Sequence, residues 1–332
     1  MKNKLLLLAL TLVAVSANAY DFQVDNLRYS ILSITDKTVE VLTSSESLSG
    51  DVVIPATVQY NGEEFTVTGI AERAFAYCHN IKTFTVPNTV TSIGSLGFGW
   101  CWYLHTIILD NPNPRFTCGS YAFDYDWRAF KSVKIINGDN KSMLENGAGI
   151  LAYLPAHDLY IEGERVTDFV VPEGTTEINT FFKNAMSLKS ITFAPSVQSV
   201  VADAFYHCDS LHTVCLSESL TKIEKSAFAE CASLRTIYSP CVYPPEAQES
   251  SFPNGAYMFA KVYIPKGTLS LYKNAAGWEK FHNFVETDEL GVYTGIEDAD
   301  NGNCSPDVKK VMRDGVMFVI TPDGSRYDMQ GR

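Results

Sequence analysis

The chain repeats itself. Phe75, Phe98, Phe205 and Phe228 are each followed at the third position by a cysteine (Cys78, Cys101, Cys208, Cys231) and at the sixth by Ile81, Leu104, Leu211 or Leu234. The ninth position is again apolar: Phe84, Ile107, Val214 and Ile237. The steps Phe75 to Phe98, Phe182 to Phe205 and Phe205 to Phe228 are each 23 residues, and Phe123 lies 25 beyond Phe98. A second apolar pair precedes these anchors at fixed distance: Val67 and Ile70, Val90 and Ile93, Val197 and Val200, Leu220 and Ile223. Constant apolar positions separated by variable ones describe a coil that cannot enclose a core alone and gains one only when a like coil stacks on it. The predicted fold class is therefore a β-rich solenoid of parallel strands with short helical turns, repeating about every 23 residues. Leu211 to Leu216 reads as one such strand, with Val214 and Leu216 inward and Thr213 and Cys215 outward, and adjacent strands should lie about 4.8 Å apart. The Ala-Phe-x-x-Cys segment is too short for a stable helix and predicts a tight corner.

The periodicity divides the rest of the chain. Lys2 and Lys4, the apolar run Leu5 to Val15 and the small residues Ala17 and Ala19 make residues 1–19 a secretory signal, so the mature chain would begin at Tyr20 and be exported. Residues 20–66, with the tight-turn pair Asn61-Gly62, predict a β-rich N-terminal cap. Repeats are expected over 67–260. Around Phe123 the spacing slips so that Phe130 and Val133 take the Leu and Ile places, and 137–168 is either a longer coil or a protruding loop. Lys261 to Pro265 reads as a last strand, and 261–286 as a C-terminal cap in which Leu271, Tyr272, Ala275, Trp278 and Phe281 close the core. An acidic linker, 287–307, then leads to a small β tail, 308–332.

Chemistry is sparse in this pattern. A net charge of -12 argues against nucleic acid as a partner. Eight cysteines in an exported chain would ordinarily suggest disulfides, but four of them share one repeat position where a small apolar side chain is packed, which predicts buried free thiols; a Cys78–Cys101 bridge is the alternative. No Cys-x-x-Cys or His-x-x-x-His spacing points to a metal, and His79 and His207, beside the repeat cysteines, do not by adjacency make a catalytic pair. Asp298 to Asp307 departs from a calcium loop at Gly302 and Lys309. No catalytic residue, cofactor or metal is expected.

One pair of columns stands out. The residue after the repeat Leu is Lys82, His105, Lys131, Lys189, His212 and Arg235 in successive units, and beside it run Thr83, Thr106, Ser132, Ser190, Thr213 and Thr236. Stacked at strand spacing these predict a stripe of cations and hydroxyls on an otherwise acidic molecule, suited to an extended acidic protein or glycan partner. The plainer reading is that the cations keep exposed strands soluble and the threonines serve β propensity.

These residues resemble the BspA-like (Treponema pallidum type) leucine-rich repeats, whose pattern is close to Leu-x-x-Ile-x-Ile-Pro-x-x-Val-x-x-Ile-Gly-x-x-Ala-Phe-x-x-Cys. Ile81 to Pro87, then Val90, Ile93, Gly94, Phe98 and Cys101, reproduce nearly all of it, and the resemblance runs over roughly residues 50–286. Leu96-Gly97 departs from it before Phe98, as do Phe181 and Ala185 around Phe182. The resemblance implies a leucine-rich-repeat solenoid and a secreted or surface protein of Bacteroidetes, non-enzymatic, with adhesion to host protein, glycan or other cells through the solenoid face. Tyr327 to Arg332 also resembles part of the C-terminal sorting region of secreted Bacteroidetes proteins, stopping where such regions continue with another strand. Two other functions remain open at this point: a polysaccharide-processing or polysaccharide-binding protein on a parallel β-solenoid, and a structural cell-envelope spacer. Oligomeric state is left undetermined.

Overall fold

In the computed structural model the described residues are 20–42, 48–113, 116–123, 129–138, 143–144, 149–248 and 250–288, together with the backbone of 309–313, 316–320 and 326–328. The signal segment, the Asp298 to Asp307 stretch and Cys304 lie outside them. The chain winds into a solenoid whose wide face is a parallel sheet in two halves. The first carries Ser49–Val53, Asn80–Pro87, Thr106–Asp110, Ser132–Ile136 and Asp158–Ile161, ended by antiparallel Glu164–Arg165. The second carries Asp168–Val170, Ser190–Thr192, Thr213–Cys215, Thr236–Tyr238, Lys261–Pro265 and Asn283–Thr287. Lys261–Pro265 is therefore not the last strand. Asn283–Thr287 continues the ladder, with Phe284 opposite Val262 and packed against the core.

Two-residue strands form the narrow opposite face, among them Ser92–Ile93, Ser199–Val200 and Lys222–Ile223. At the N-terminal end Phe22–Val24, Leu27–Ser33 and Thr38–Val41 pair antiparallel, and the last of these runs parallel to Glu63–Ile70. Asn61 and Gly62 both have positive φ, 52° and 79°, as the tight hairpin turn between Thr57–Tyr60 and Glu63–Ile70 requires. At the other end Tyr272, Trp278 and Phe281 are buried, whereas Leu271 faces out. The phenol of Tyr272 donates to Cys241 O (2.8 Å) and the indole of Trp278 to Pro245 O (2.8 Å), so both polar atoms are satisfied inside the closure. Lys309–Arg313, Val316–Ile320 and Arg326–Asp328 form a separate antiparallel meander.

The phenylalanine file is the axis of the core. Phe75 stacks on Phe98 (5.3 Å, 10° between planes) and Phe98 on Phe123 (5.6 Å, 13°). Phe182, Phe205 and Phe228 continue it at 5.5 and 4.9 Å, within 9° of parallel. The stack runs on to Phe252 (5.3 Å), a member the motif does not reveal because a helix, Asn254–Phe259, replaces the x-x-Cys that should follow. The corners at Phe75, Phe98, Phe205 and Phe228 each have two residues in the left-handed region, two before and two after the Phe; at Phe182 only Asn184 is left-handed. Examples are Arg73 and Tyr77 (φ 56° and 63°), Asp203 and His207 (60° and 57°), and Ser226 and Glu230 (58° and 60°). Such a backbone costs L-residues roughly 1–2 kcal/mol apiece. It is held because the amides then donate to the next coil: Arg73 N to Ser95 O, Phe75 N to Gly97 O and Tyr77 N to Gly99 O, all at 2.8–3.0 Å. Coils approach so closely here that a Cβ added to Gly94 would lie 2.4 Å from Glu72 N.

The described residues of 137–168 belong to a longer coil packed on the core, not to a protruding loop. Met143, Leu144, Ile150, Leu151, Leu154 and Leu159 are buried in the common core. Two asparagines fasten this coil to the second half: Asn179 Nδ2 donates to Met143 O and Leu144 O (2.7 and 2.6 Å), and Asn184 Nδ2 to Leu154 O (2.8 Å). The departures from the repeat at Phe181 and Ala185 fall in this docking segment. His157 is buried at the same joint, its Nδ1–H donating to Pro155 O (2.7 Å) and its Nε2 without a partner among the described residues.

Two predictions follow from the packing. Phe205→Ala should lower stability by about 3–5 kcal/mol, and Phe205→Leu by much less, read as shifts of the urea midpoint. Burial lowers the His157 pKa from 6.5 to about 4, the Pro155 bond and Asp158 opposing only in part. The unfolded chain therefore binds more protons between those values. Stability should be complete above pH 6.5 and fall by on the order of 3 kcal/mol towards pH 4. His157→Asn, which keeps a donor for Pro155, should flatten that part of the pH profile; an unchanged slope would remove His157 as its cause.

Candidate binding face

The strand starts of the wide sheet hold the expected cations in file, but in two groups of three. His105 N donates to Lys82 O and Lys131 N to His105 O (both 2.9 Å); His212 N donates to Lys189 O (2.8 Å) and Arg235 N to His212 O (3.0 Å). Between the groups the next amides belong to Asp158, which follows the buried His157, and to Lys189 bonded to Thr167 O. The longer central coil therefore interrupts the stripe. Lys82, Lys131, Lys189, His212 and Arg235 are exposed and His105 half-buried. Lys82, Lys131 and Lys189 have no ion pair among the described residues. Arg235 is tied down instead, Nη1 donating to Ala232 O (3.0 Å) and Leu234 O (2.9 Å) with the guanidinium 5.8 Å from the Phe259 ring centroid.

The hydroxyl column does not face solvent as expected. Ser190 and Thr213 are buried, as is Cys215 beyond them, and Thr83, Thr106, Ser132 and Thr236 are half-buried. Strand spacing brings Thr106 Oγ1 and Ser132 Oγ within bonding distance (2.9 Å), and Ser190 Oγ donates to Asp168 on the next rung (2.5 Å). Oxygens so committed are poor donors for a ligand, so the cations are the more exposed part of the stripe.

Among the described residues Cys78, Cys101, Cys208, Cys215, Cys231 and Cys241 are buried thiols and Cys118 a half-buried one, none of them in a disulfide. Three repeat thiols donate to the carbonyl of the Phe in the preceding coil: Cys101 to Phe75 O (3.2 Å), Cys208 to Phe182 O (2.9 Å) and Cys231 to Phe205 O (3.1 Å). Burial pushes the Cys231 pKa up to about 12 and those of Cys118 and Cys241 to about 11, with Cys101 and Cys208 also far above the ordinary thiol range. These are packing groups, not nucleophiles. His79 stacks on Trp102 (4.1 Å), and His207 lies 3.5 Å from Asp209. Among the described residues no group of three or more His, Cys, Asp or Glu is placed to hold a metal, and no helix is long and apolar enough to cross a membrane. On the narrow sheet Lys222 pairs with Glu224 at 2.6 Å, and Glu177 and Glu246 start two other strands of the same face. A cleft of about 780 Å³ between Lys225, Glu230, Gln248 and Lys280 is open to solvent.

Comparing repeat positions passes over Tyr77, Trp102, Tyr103 and Tyr121, all exposed, because they occupy variable places. The density of aromatics in Trp100 to Tyr103 is the signal that marks them.

The pattern described as BspA type Leucine rich repeat region matches in six copies, over residues 58–145 and 159–277, more than half of the chain. Solved structures similar to it include a leucine-rich cell surface protein of Faecalibacterium prausnitzii (17% identity, 80% of this chain and 94% of that one, TM-score 0.30). A leucine-rich repeat protein of Bacteroides capillosus is 29% identical over 43% of this chain and 98% of its own (TM-score 0.29). One of Eubacterium ventriosum is 17% identical over 80% and 84% (TM-score 0.35). No curated protein matches.

Alkylation provides the test of the thiols: in native protein Cys101, Cys208 and Cys231 should resist iodoacetamide at pH 8 and react fully once urea unfolds the chain, with mass spectrometry of the peptides as readout. Rapid native labelling would contradict their burial.

Proposed function

The chain belongs to the BspA-type leucine-rich repeat family, and from that premise we propose that it is a non-enzymatic recognition scaffold, exported through residues 1–19 and working at or outside the cell surface. Its ligand is an acidic surface protein or glycan held along the cation-bearing edge of the wide sheet. The observation that carries this reading is the placement of Lys82, Lys131 and Lys189, exposed and without ion pairs among the described residues, on strand starts aligned by the ladder of an otherwise acidic molecule. Charges repeated at strand spacing favour a partner whose negative groups are also strung out, since many weak contacts then add along one line. The same placement steers association and makes it sensitive to salt. Residues 308–332, including Tyr327 and Asp328 in the meander, are assigned to sorting or display, apart from recognition.

The test is a screen of the mature protein on immobilised host matrix proteins and on a glycan array with sulfated and sialylated members. Lys82→Glu, Lys131→Glu and Lys189→Glu combined should weaken the best binder by about tenfold or more and reduce its salt dependence; Arg235 is spared because it caps backbone carbonyls. Unchanged affinity would remove the cationic edge from the mechanism. Release of product from any array polysaccharide would overturn the non-enzymatic assignment.

A further inference from the structure

The cationic edge changes character where it reaches the last coils. Counted back from the register pair Thr236 and Lys261, Ala260 takes the place of Arg235 and Phe259 that of Leu234. In the coils before, that second place holds Leu188, Leu211 and Leu234, all fully buried. Phe259 is instead 60% exposed, and Met258 beside it 53%. The cause is the helix Asn254–Phe259, which turns Ala256 and Tyr257 inward, so that the Tyr257 ring fills the core against Phe281 (4.8 Å). The last two side chains of the helix are left outside.

Their surroundings are basic. The Arg235 guanidinium lies 5.8 Å from the Phe259 ring centroid, and Lys261 N donates to Arg235 O (2.8 Å). His282 N donates to Tyr257 O (3.0 Å) and Asn283 Nδ2 to Met258 O (3.0 Å), so three stretches of chain are tied together here. Those stretches, 232–236, 254–263 and 281–285, carry Arg235, Lys261 and His282, all exposed, and no Asp or Glu, in a chain where acids outnumber bases by 38 to 26. Lys261 has no ion pair among the described residues. Asp209 reaches the adjoining turn through its carbonyl, which accepts from Ser233 N, but its carboxylate lies 3.5 Å from His207. An exposed apolar pair framed by cations thus ends the file of Lys189, His212 and Arg235.

We infer that this end of the edge binds an extended acidic polypeptide segment that carries an apolar side chain next to its acidic run, an inference that rests on the cationic edge being the recognition site. The apolar residue packs on Met258 and Phe259 while the carboxylates lie along Arg235, His212 and Lys189. Charge complementarity selects the acidic run, and three residues of an extended chain span about two coils, so acids three places apart meet Arg235 and Lys189. The apolar pair selects a polypeptide over a glycan. A sulfated or sialylated sugar would use the cations but leave Met258 and Phe259 in water, whereas Met, aromatic rings and Arg are the side chains enriched where proteins meet. Met258 adds a flexible surface that fits aliphatic and aromatic partners alike. Arg235 is already held by Ala232 O and Leu234 O, so little freedom is lost when a ligand arrives. Two apolar side chains are a narrow anchor for a lipid surface, whose hold grows with the apolar area inserted.

Fluorescence anisotropy of the mature chain with labelled synthetic peptides tests this. Two peptides carry Glu at every third place and a Phe at one end or the other, and a third has Ser in place of Phe; a heparin oligosaccharide and phosphatidylglycerol vesicles are the comparisons. One of the Phe peptides should bind about tenfold more tightly than the Ser peptide, the gain expected from burying one apolar side chain. Met258→Ser with Phe259→Ser should abolish that preference and leave the Ser peptide and heparin bound as before, whereas Phe259→Leu should keep it. Near-UV circular dichroism and the melting midpoint report whether the serine pair folds; should it not, Met258→Ser alone should cut the preference several-fold. Equal affinity for the Phe and Ser peptides would overturn the inference and leave the cationic edge standing. Vesicle binding that the serine pair abolishes would assign the patch to lipid and overturn it as well. The triple Lys→Glu variant should weaken the peptides and heparin together; if it changes neither, the cationic edge itself falls, a failure distinct from loss of the Phe preference.

Discussion

Each coil of this protein leaves both its backbone and its apolar ring incomplete until the next coil settles one strand spacing away. That distance is set by the hydrogen bond between parallel strands, and every recurring feature meets it. Phe84, Ile107, Val133 and Leu159 sit opposite one another across the ladder, as do Ile191, Val214, Ile237 and Val262. The corners satisfy the same spacing with a different device. Left-handed residues on either side of the Phe turn its flanking amides towards the next coil, and the repeat thiol bonds the carbonyl of the Phe before it. Cysteine suits that place because it packs as a small hydrophobe yet still has a weak donor.

The central coil shows what happens when the period fails. Its described residues join the core without breaking it, since Ile150, Leu151 and Leu154 are buried there and Asn179 and Asn184 bond the carbonyls of Met143, Leu144 and Leu154. The outer surface is less tolerant. With His157 buried in the joint, the file of cations divides into Lys82, His105 and Lys131 on one side and Lys189, His212 and Arg235 on the other. A ligand spanning both groups must cross a stretch where Asp158 is paired to Arg165 (3.1 Å) and Asp168 accepts from Ser190.

What was legible in the residues was the period and its consequence: the solenoid, the phenylalanine file, the stacked Cys position and the family they imply. Each rests on recurrence, and recurrence in sequence becomes adjacency in space once a coil must cover its neighbour. Exposure was not legible. Thr213 and Ser190 look outward by alternation, yet their neighbours one rung away bury them, and Arg235 looks free yet folds back onto Ala232 O and Leu234 O. Nor could spacing tell a docked coil from a loop between 137 and 168, because its core contacts come from Asn179 and Asn184 in a different unit.

The sequence by itself thus determined that the chain stacks, at what period, and which side chains form the interior, since burial of a repeating apolar skeleton has one economical solution. Only the tertiary structure decided which surface groups remain available. That depends on side chains brought within a few ångströms by stacking, where hydroxyls bond one another, a histidine loses its water and two tryptophans line up with a tyrosine and a histidine they never approach along the chain.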